Sequence, residues 1–573
     1  MAKLVVALRE EIGDPGFFMG REAELDSFLN WAELSKLQQA KSRAILSRRK
    51  KGKTALVQRI FNILYSNFDP QVVPFFFRVK EDRMKIPDFA HLFYRSFMSQ
   101  FLGFQLRNPN LVNKVPPLKR LKMYASQDPE LLEDIEDMEG ILATDPALAW
   151  DHARDAPHRI ASIKDIRIIQ IIDEFQFMNR YLYDEWGQAN VCHSYMAAAE
   201  SKVAPLIVTG SYIGWLDAIL TYMTSRFDKE HLKGLTEFEA LETVYNYATR
   251  MNVPIRENTA AYIAQVAYND PFYISQIIRT RNPDLDLTTK EGVRAALQFE
   301  TTPDLGFIAS VWLEYIEDAF SRVNEVNAKK IVIYLAKYGS EDRSRKQILE
   351  DLELDMSDGD LEKRLHKLRM ADLIARGSSY FRYKGLGDPI FEAVFRKVYG
   401  EEIEQVSVGA IAEDFEKSMI RLKQQTAWMK GARAEYKVRF HLFMAASKGV
   451  AAEMVIYNPI PNLVLEPYNT MNKERIAAGA DNSREVDIYA RTISENGHDL
   501  IVEVKKWEKQ VNHAEIEAFL NLKAMAEKTV VKKTGFLFYS ENGFTDKQMA
   551  VMKEAGVMYS DSQKLTSYES TLE

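Results

Sequence analysis

Ser47-Arg48-Arg49-Lys50-Lys51-Gly52-Lys53-Thr54 stands between a short apolar run, Ala44-Ile45-Leu46, and the helix-forming Ala55-Leu56-Val57. A strand, a basic loop closing on Gly-Lys-Thr and a helix that starts at once make a layout suited to polyphosphate. Backbone N–H groups and the positive end of the helix dipole face the anion. Lys53 would meet the terminal phosphates and the Thr54 hydroxyl a bound Mg²⁺. Ser47 occupies the first loop position, where glycine is usual; it is small but lacks glycine's freedom at positive φ. Gly-Lys-Thr also occurs in plain basic surface turns, so the reading turns on what the rest of the chain supplies.

The second half of such a site is expected on another strand. Ile166-Arg167-Ile168-Ile169-Gln170-Ile171-Ile172-Asp173-Glu174 is a near-continuous β-branched run, the pattern of a central parallel strand buried on both faces. Two carboxylates at its end make poor core. Beside a metal-bound triphosphate they have a use: Asp173 holds Mg²⁺ through water and Glu174 polarises the attacking water. A further strand, Pro205–Ser211, ends in hydroxyls. Thr209 or Ser211 either senses the terminal phosphate or, for Ser211, caps a helix. Arg226 is either a cation for the transferred phosphoryl group or a surface arginine.

Composition narrows the field. With 573 residues, three or four domains are expected. The net charge of −7 confines any nucleic-acid contact to local basic patches. The single cysteine, Cys192, allows neither an internal disulfide nor a zinc cluster and suits a core position. The N-terminus is charged too soon for a signal peptide, and no apolar run reaches membrane-span length. These features point to a reducing, cytoplasmic setting with no membrane partner.

Gly20-Arg21-Glu22-x-Glu24 ahead of the loop, the loop itself, Asp173-Glu174-Phe175, Thr209-Gly210-Ser211 and Asn269-Asp270-Pro271-Phe272-Tyr273 together resemble archaeal-type ATPases of the AAA+/STAND group. The resemblance spans roughly residues 16–301. It implies a P-loop α/β core and a helical lid, with ATP as the bound nucleotide. It places Gly20, Arg21, Ser47, Gly52, Lys53, Thr54, Asp173, Thr209 and Arg226 around that nucleotide. Related ATPases range from monomeric switches to rings, so a homo-oligomer is an open expectation. Asp270 stands where the family has glycine.

Three helical stretches from about residue 328, followed by Ile374–Lys384 with the form of a hairpin, give a winged helix-turn-helix pattern. Lys363, Arg364, Lys367 and Arg369 on its third helix either meet DNA phosphates or form an ordinary solvated face.

Near the C-terminus, strand periodicity decides what faces where. Val486, Ile488 and Ala490 share one face, and Glu485, Asp487 and Tyr489 the other. On the next strand Leu500, Val502 and Val504 face the core while Glu503 and Lys505 project together. A hairpin of the two would gather Asp487, Glu503 and Lys505. Two carboxylates suit Mg²⁺, and the lysine can orient or deprotonate a water for attack on a phosphodiester. Glu435, on a helix opening near Trp428, would add a third carboxylate. An alternating surface strand shows mixed charges as well. Glu435, Asp487 and Glu503-Val504-Lys505 resemble the PD-(D/E)xK nuclease superfamily in its Mrr and Holliday-junction-resolvase style, over about residues 429–561. Arg484, Lys506 and Trp507 either meet a nucleic-acid backbone and base or form a solubilising rim.

The expected architecture is therefore α/β and multidomain. Residues 1–234 form the ATPase core, with a helical insertion at about 109–158; 235–320 form a lid and 321–400 a winged helix; 401–427 are a helical connector and 428–573 a restriction-endonuclease-like domain. The expected function is ATP hydrolysis coupled to Mg²⁺- or Mn²⁺-dependent cleavage of nucleic acid, DNA before RNA. The alternative is an ATP-controlled DNA-binding regulator that does not cut. A role in prokaryotic antiviral defence or DNA processing rests on analogy.

Overall fold

Strands rich in β-branched and aromatic residues form the centre of the larger unit: β1 (Arg43–Leu46), β2 (Val72–Arg78), β3 (Arg167–Asp173), β4 (Leu206–Gly210) and β5 (Asp228–His231). They make one sheet in the order β2-β3-β4-β1-β5, every neighbouring pair parallel. β3 and β4 are buried nearly throughout, so both faces are covered, as parallel strands require. The computed structural model describes residues 4–404 and 438–569, apart from 186, 224, 324–326, 339–340, 380, 440, 444, 447–448, 467, 478–482, 493, 495–496, 506–510 and 531. Two compact units divide the chain, residues up to 417 and residues 418–573.

The segment expected as an irregular insertion is tied into the core. Helices Pro129–Thr144 and Ala149–Ile163 form much of it, and Trp150 meets Phe93 edge-on with ring centroids 5.6 Å apart. Buried Asp134 accepts from the Tyr94 hydroxyl at 2.7 Å and from Arg159 Nε at 2.8 Å. Beyond β5, helices Glu237–Arg250, Glu257–Val266, Pro271–Ile278 and Lys290–Glu300 follow in the region read as a lid. Thr236 and Glu239 close the first of these with a reciprocal cap.

The middle segment holds helices Ala328–Lys337, Arg345–Asp351 and Asp358–Met370 with three short antiparallel strands: β6 (Arg343–Ser344), β7 (Ala375–Arg376) and β8 (Arg382–Lys384). Its third helix docks by its last turn. A Cβ on Gly214 would lie 2.6 Å from the Arg369 carbonyl oxygen and 2.9 Å from Met370 Cα. Only a residue without a side chain lets these backbones approach so closely.

In the second unit β9 (Tyr468–Ala477), β10 (Ser483–Thr492), β11 (Asp499–Lys505), β12 (Thr534–Ser540) and β13 (Met558–Asp561) form a sheet in chain order. β10 pairs antiparallel with both β9 and β11, and β12 pairs parallel with both β11 and β13. Helices His513–Thr529 and Asp546–Glu554 make the two crossovers, and Phe519, Phe536 and Phe538 lie in the apolar core between sheet and helix. Among the described residues no helix is long and apolar enough to cross a membrane.

Candidate functional site

Ligands of open parallel sheets bind beyond the carboxyl ends of the strands, and there the loop after β1 turns into helix Lys53–Asn67. Gly52, at φ +86°, caps that helix, and Lys50, at φ +68°, turns the loop ahead of it. Ser47 stays out of the left-handed region, which is why serine serves where glycine is usual. Lys53 is only 4% exposed. Its ammonium folds back onto the loop, donating to the carbonyl oxygens of Ser47 and, at 2.7 Å, of Arg48. Burial, opposed by the charges of Glu174 and Asp173, pushes its pKa down to about 8.

The two acids at the end of β3 take different roles. Asp173 is fully buried; its Oδ2 accepts from Thr54 Oγ1 at 2.9 Å and its Oδ1 from Thr209 Oγ1. Burial, with the Glu174 charge beside it, holds this carboxyl above its ordinary value. Thr209 thus orients an acid. Glu174 sits in the left-handed region, φ +57°. Its Oε2 accepts from Ser211 N at 3.0 Å, Ser211 Oγ at 2.8 Å and Gln176 Nε2 at 2.6 Å. Its Oε1 makes no hydrogen bond among the described residues. One carboxylate is clamped to its neighbours, then, and the other keeps an oxygen for chemistry. Thr54 with Asp173 is a hard-oxygen donor pair in contact, a set that fits Mg²⁺ keeping several waters.

Gly20 and Arg21 stand behind the loop. A Cβ on Gly20, which has φ +71°, would lie 2.8 Å from Glu239 Cβ. Arg21 donates through Nη2 to the Lys51 carbonyl at 3.2 Å and through its backbone N–H to Glu239. Asp270, where glycine was expected, N-caps helix Pro271–Ile278 and pairs with Lys51.

Sequence reasoning missed the two loop arginines and what holds them. Arg48 pairs with Asp388 at 3.1 Å and lies over the rings of Trp312 and Phe391, 5.1 and 4.9 Å from their centroids. Burial opposes its charge, and Asp388, aided by the hydroxyls of Tyr315 and Tyr273, outweighs that and holds the guanidinium above its ordinary value. Asp372, in the left-handed region after helix Asp358–Met370, accepts from Gly214 N–H at 2.9 Å. Burial pushes its carboxyl up to about 6. Asp372 and Asp388 come from the middle segment, so nothing near residue 50 signals them.

Arg226, read as a phosphoryl cation or a surface arginine, lies away from the loop within this chain. It lies just ahead of β5, whose Asp228 pairs with Arg43 at the start of β1, and so at the amino end of the strands, opposite the phosphate loop. It is bonded to Glu200 at 2.9 Å. β5 itself, Asp-Lys-Glu-His, carries no apolar pattern, so the strand that fixes the position of Arg226 is silent in sequence. Cys192 is buried, and burial pushes its thiol pKa up, as an inert core residue requires.

In the second unit the register of β10 and β11 sets Ile488 opposite Val502, which brings Asp487 opposite Glu503 one step along. Asp487 Oδ2 accepts from Val504 N–H at 2.8 Å. Glu503 is 5% exposed; its Oε1 lies 2.7 Å from Lys505 Nζ and 3.6 Å from Arg484 Nη2. Asp487, Glu503 and Lys505 therefore meet on one face. Glu435, Lys506 and Trp507, together with most of the connector read at 401–427, lie outside the described residues. Among the described residues no group of three acids, histidines or cysteines could hold a metal ion. The two carboxylates fit Mg²⁺ in kind, as hard oxygen donors.

Among the solved structures that resemble this chain are three of distinct kinds. The Walker-type ATPase of Pyrococcus abyssi is 14% identical, with 68% of this chain and 100% of that one covered and a TM-score of 0.48. The ORC2 protein of Aeropyrum pernix in its ADP form is 12% identical, covering 66% and 93%, with a TM-score of 0.36. RuvB of Thermotoga maritima, a Holliday junction branch migration motor, is 14% identical, covering 69% and 98%, with a TM-score of 0.29. No family model matches the chain, and no curated protein matches it.

Proposed function

We propose that the chain binds and hydrolyses ATP at the loop after β1 and uses that cycle to control a Mg²⁺-dependent nuclease in its C-terminal unit, acting on DNA. The observation that carries the first half is the convergence of Lys53, Thr54, Asp173 and Glu174 at one end of a parallel sheet, each on a different local support. Lys53 releases the Ser47 and Arg48 carbonyls and pairs with the terminal phosphates. Thr54 and Asp173 hold Mg²⁺, which when bound neutralises charge on the phosphate oxygens. Glu174, fixed through Oε2, takes a proton from water through Oε1.

The second half rests on the juxtaposition of Asp487, Glu503 and Lys505. The two carboxylates, with Glu435, would hold Mg²⁺ or Mn²⁺, which polarises the scissile phosphate. Lys505 orients the attacking water. The middle segment, read as a winged helix, relays nucleotide state or contacts DNA through Lys363, Arg364, Lys367 and Arg369.

The test is plasmid DNA incubated with the protein and Mg²⁺ or Mn²⁺, with and without ATP. Phosphate release together with metal-dependent cutting supports the reading. Tight DNA binding without cutting replaces the nuclease by an ATP-controlled regulator.

A further inference from the structure

Arg49 extends from within the phosphate loop onto a platform built beside Glu174. Its guanidinium lies 5.3 Å from the ring centroid of Tyr212 and 5.8 Å from that of Tyr315. These two rings stack, 5.5 Å apart and 16° from parallel, and the Tyr212 hydroxyl is fixed by Asp318 at 2.6 Å. Tyr212 follows Ser211, the residue whose N–H and hydroxyl grip Glu174. Loop, platform and acid thus set the arginine on the side of the loop where Glu174 waits.

The ion pairs of Arg49 are weak. Its partners are Glu81 at 3.0 Å and Glu314 at 3.8 Å, with side chains 49% and 79% exposed. Ion pairs to exposed acids contribute little and are easily exchanged for a phosphate. Arg48, by contrast, is committed to the buried carboxylate of Asp388, and Arg226 lies ahead of β5, at the amino end of the strands. Burial opposes the charge of Arg49, but Tyr212, Glu81 and Glu174 outweigh it and keep the guanidinium protonated.

We infer that Arg49 is the cation that meets the terminal phosphoryl group of ATP during hydrolysis, supplied by the same chain that carries Lys53 and Glu174. The inference rests on the ATPase reading above. In the step, the water oxygen bonds to the γ-phosphorus as the bond to the β–γ bridging oxygen breaks. The water proton passes to Glu174 and on to solvent, and ADP leaves with the electron pair on the former bridging oxygen. Arg49 donates N–H groups to the phosphoryl oxygens where charge accumulates, the point at which a cation accelerates phosphoryl transfer most. The consequence is a site complete within one chain, in contrast to one that waits for an arginine from a neighbouring subunit.

The experiment uses the full chain. Turnover per protomer is measured across a dilution series, and Arg49→Ala and Arg49→Lys are compared with the unaltered protein for kcat, ATP affinity, and affinity for ADP with aluminium fluoride relative to ADP alone. Turnover per protomer constant on dilution is expected. Arg49→Ala is expected to lower kcat about 10³-fold while leaving ATP affinity within about threefold. Its preference for the aluminium fluoride complex should fall at least about tenfold, and Arg49→Lys should recover part of both. Equal melting curves for the two variants show that the fold is kept. A variant with unaltered kcat and aluminium fluoride preference, or turnover that climbs with protein concentration, overturns the assignment. An unaltered protein that binds ATP and never hydrolyses it overturns the ATPase reading, and this assignment with it.

Discussion

The two acid-bearing sites are built from different kinds of support. At the end of β3, the hydrogen bonds to Asp173 come from the neutral hydroxyls of Thr54 and Thr209, with Arg78 Nε farther off at 3.7 Å, and those to Glu174 come from neutral N–H and O–H donors. Neutral donors fix direction and leave the full negative charge for an incoming cation. On β11, Glu503 is held by two cations, Lys505 and Arg484. A divalent ion arriving there competes with charges already in place. On the proposed reading the first site takes its metal with the nucleotide, whereas at the second a metal would have to compete with Lys505 and Arg484 for Glu503.

The sharpest way to break this comparison is to disable one site and read both. Lys53→Ala should lower ATP turnover about 10³-fold, or ~4 kcal/mol of transition-state stabilisation, with the melting transition of the C-terminal unit unmoved. If ATP gates cutting, the same variant changes the cutting rate as well, and a cutting rate unchanged with and without ATP separates the two sites functionally. Glu503→Gln should reduce cutting about 100-fold and leave phosphate release at its original rate; loss of both would mean that the sites are not independent machines.

Two smaller effects test the supports themselves. Arg48→Ala removes the cation paired with Asp388, which is 7% exposed and keeps only the neutral donors of Tyr273 and Phe391, and should destabilise the larger unit by about 3 kcal/mol in chemical denaturation. Asp372 titrates at about 6 against an ordinary carboxyl value of 3.8. Between those pH values the folded chain binds more protons than the unfolded one, so this group makes stability fall as pH rises through the window. Asp372→Asn should remove that fall, leaving the variant ~1–2 kcal/mol more stable than the unaltered protein near pH 7 and the difference smaller near pH 5. An equal difference at both pH values would assign the effect to contacts other than the charge.

Much of this was legible in the sequence because it follows from local rules. Lys53 and Thr54 come directly after a loop that enters a helix. Asp173 and Glu174 end a β-branched run, and the alternation in 486–490 and 500–505 assigns Asp487, Glu503 and Lys505 to one face. The partners of Arg48 and Arg49 were not legible, because Asp388, Trp312, Phe391, Tyr212 and Tyr315 arrive through tertiary folding from more than 150 residues away. The position of Arg226 was not legible because β5 is a largely exposed, fully polar edge strand that periodicity cannot detect. Ser47 looked like a defect only while its backbone angles were unknown; the left-handed turns fall at Lys50 and Gly52 instead.

Asp388 and Phe391 complete the seat of Arg48 from beyond residue 380. A fragment ending at residue 320 would keep every residue of the phosphate loop and still lose the acid and one of the two rings that shape it. Nor could a foreign module be grafted in after that point unless it brought its own carboxylate and aromatic to the same spot. The nucleotide loop is finished by a later part of the chain, and the two must be inherited together.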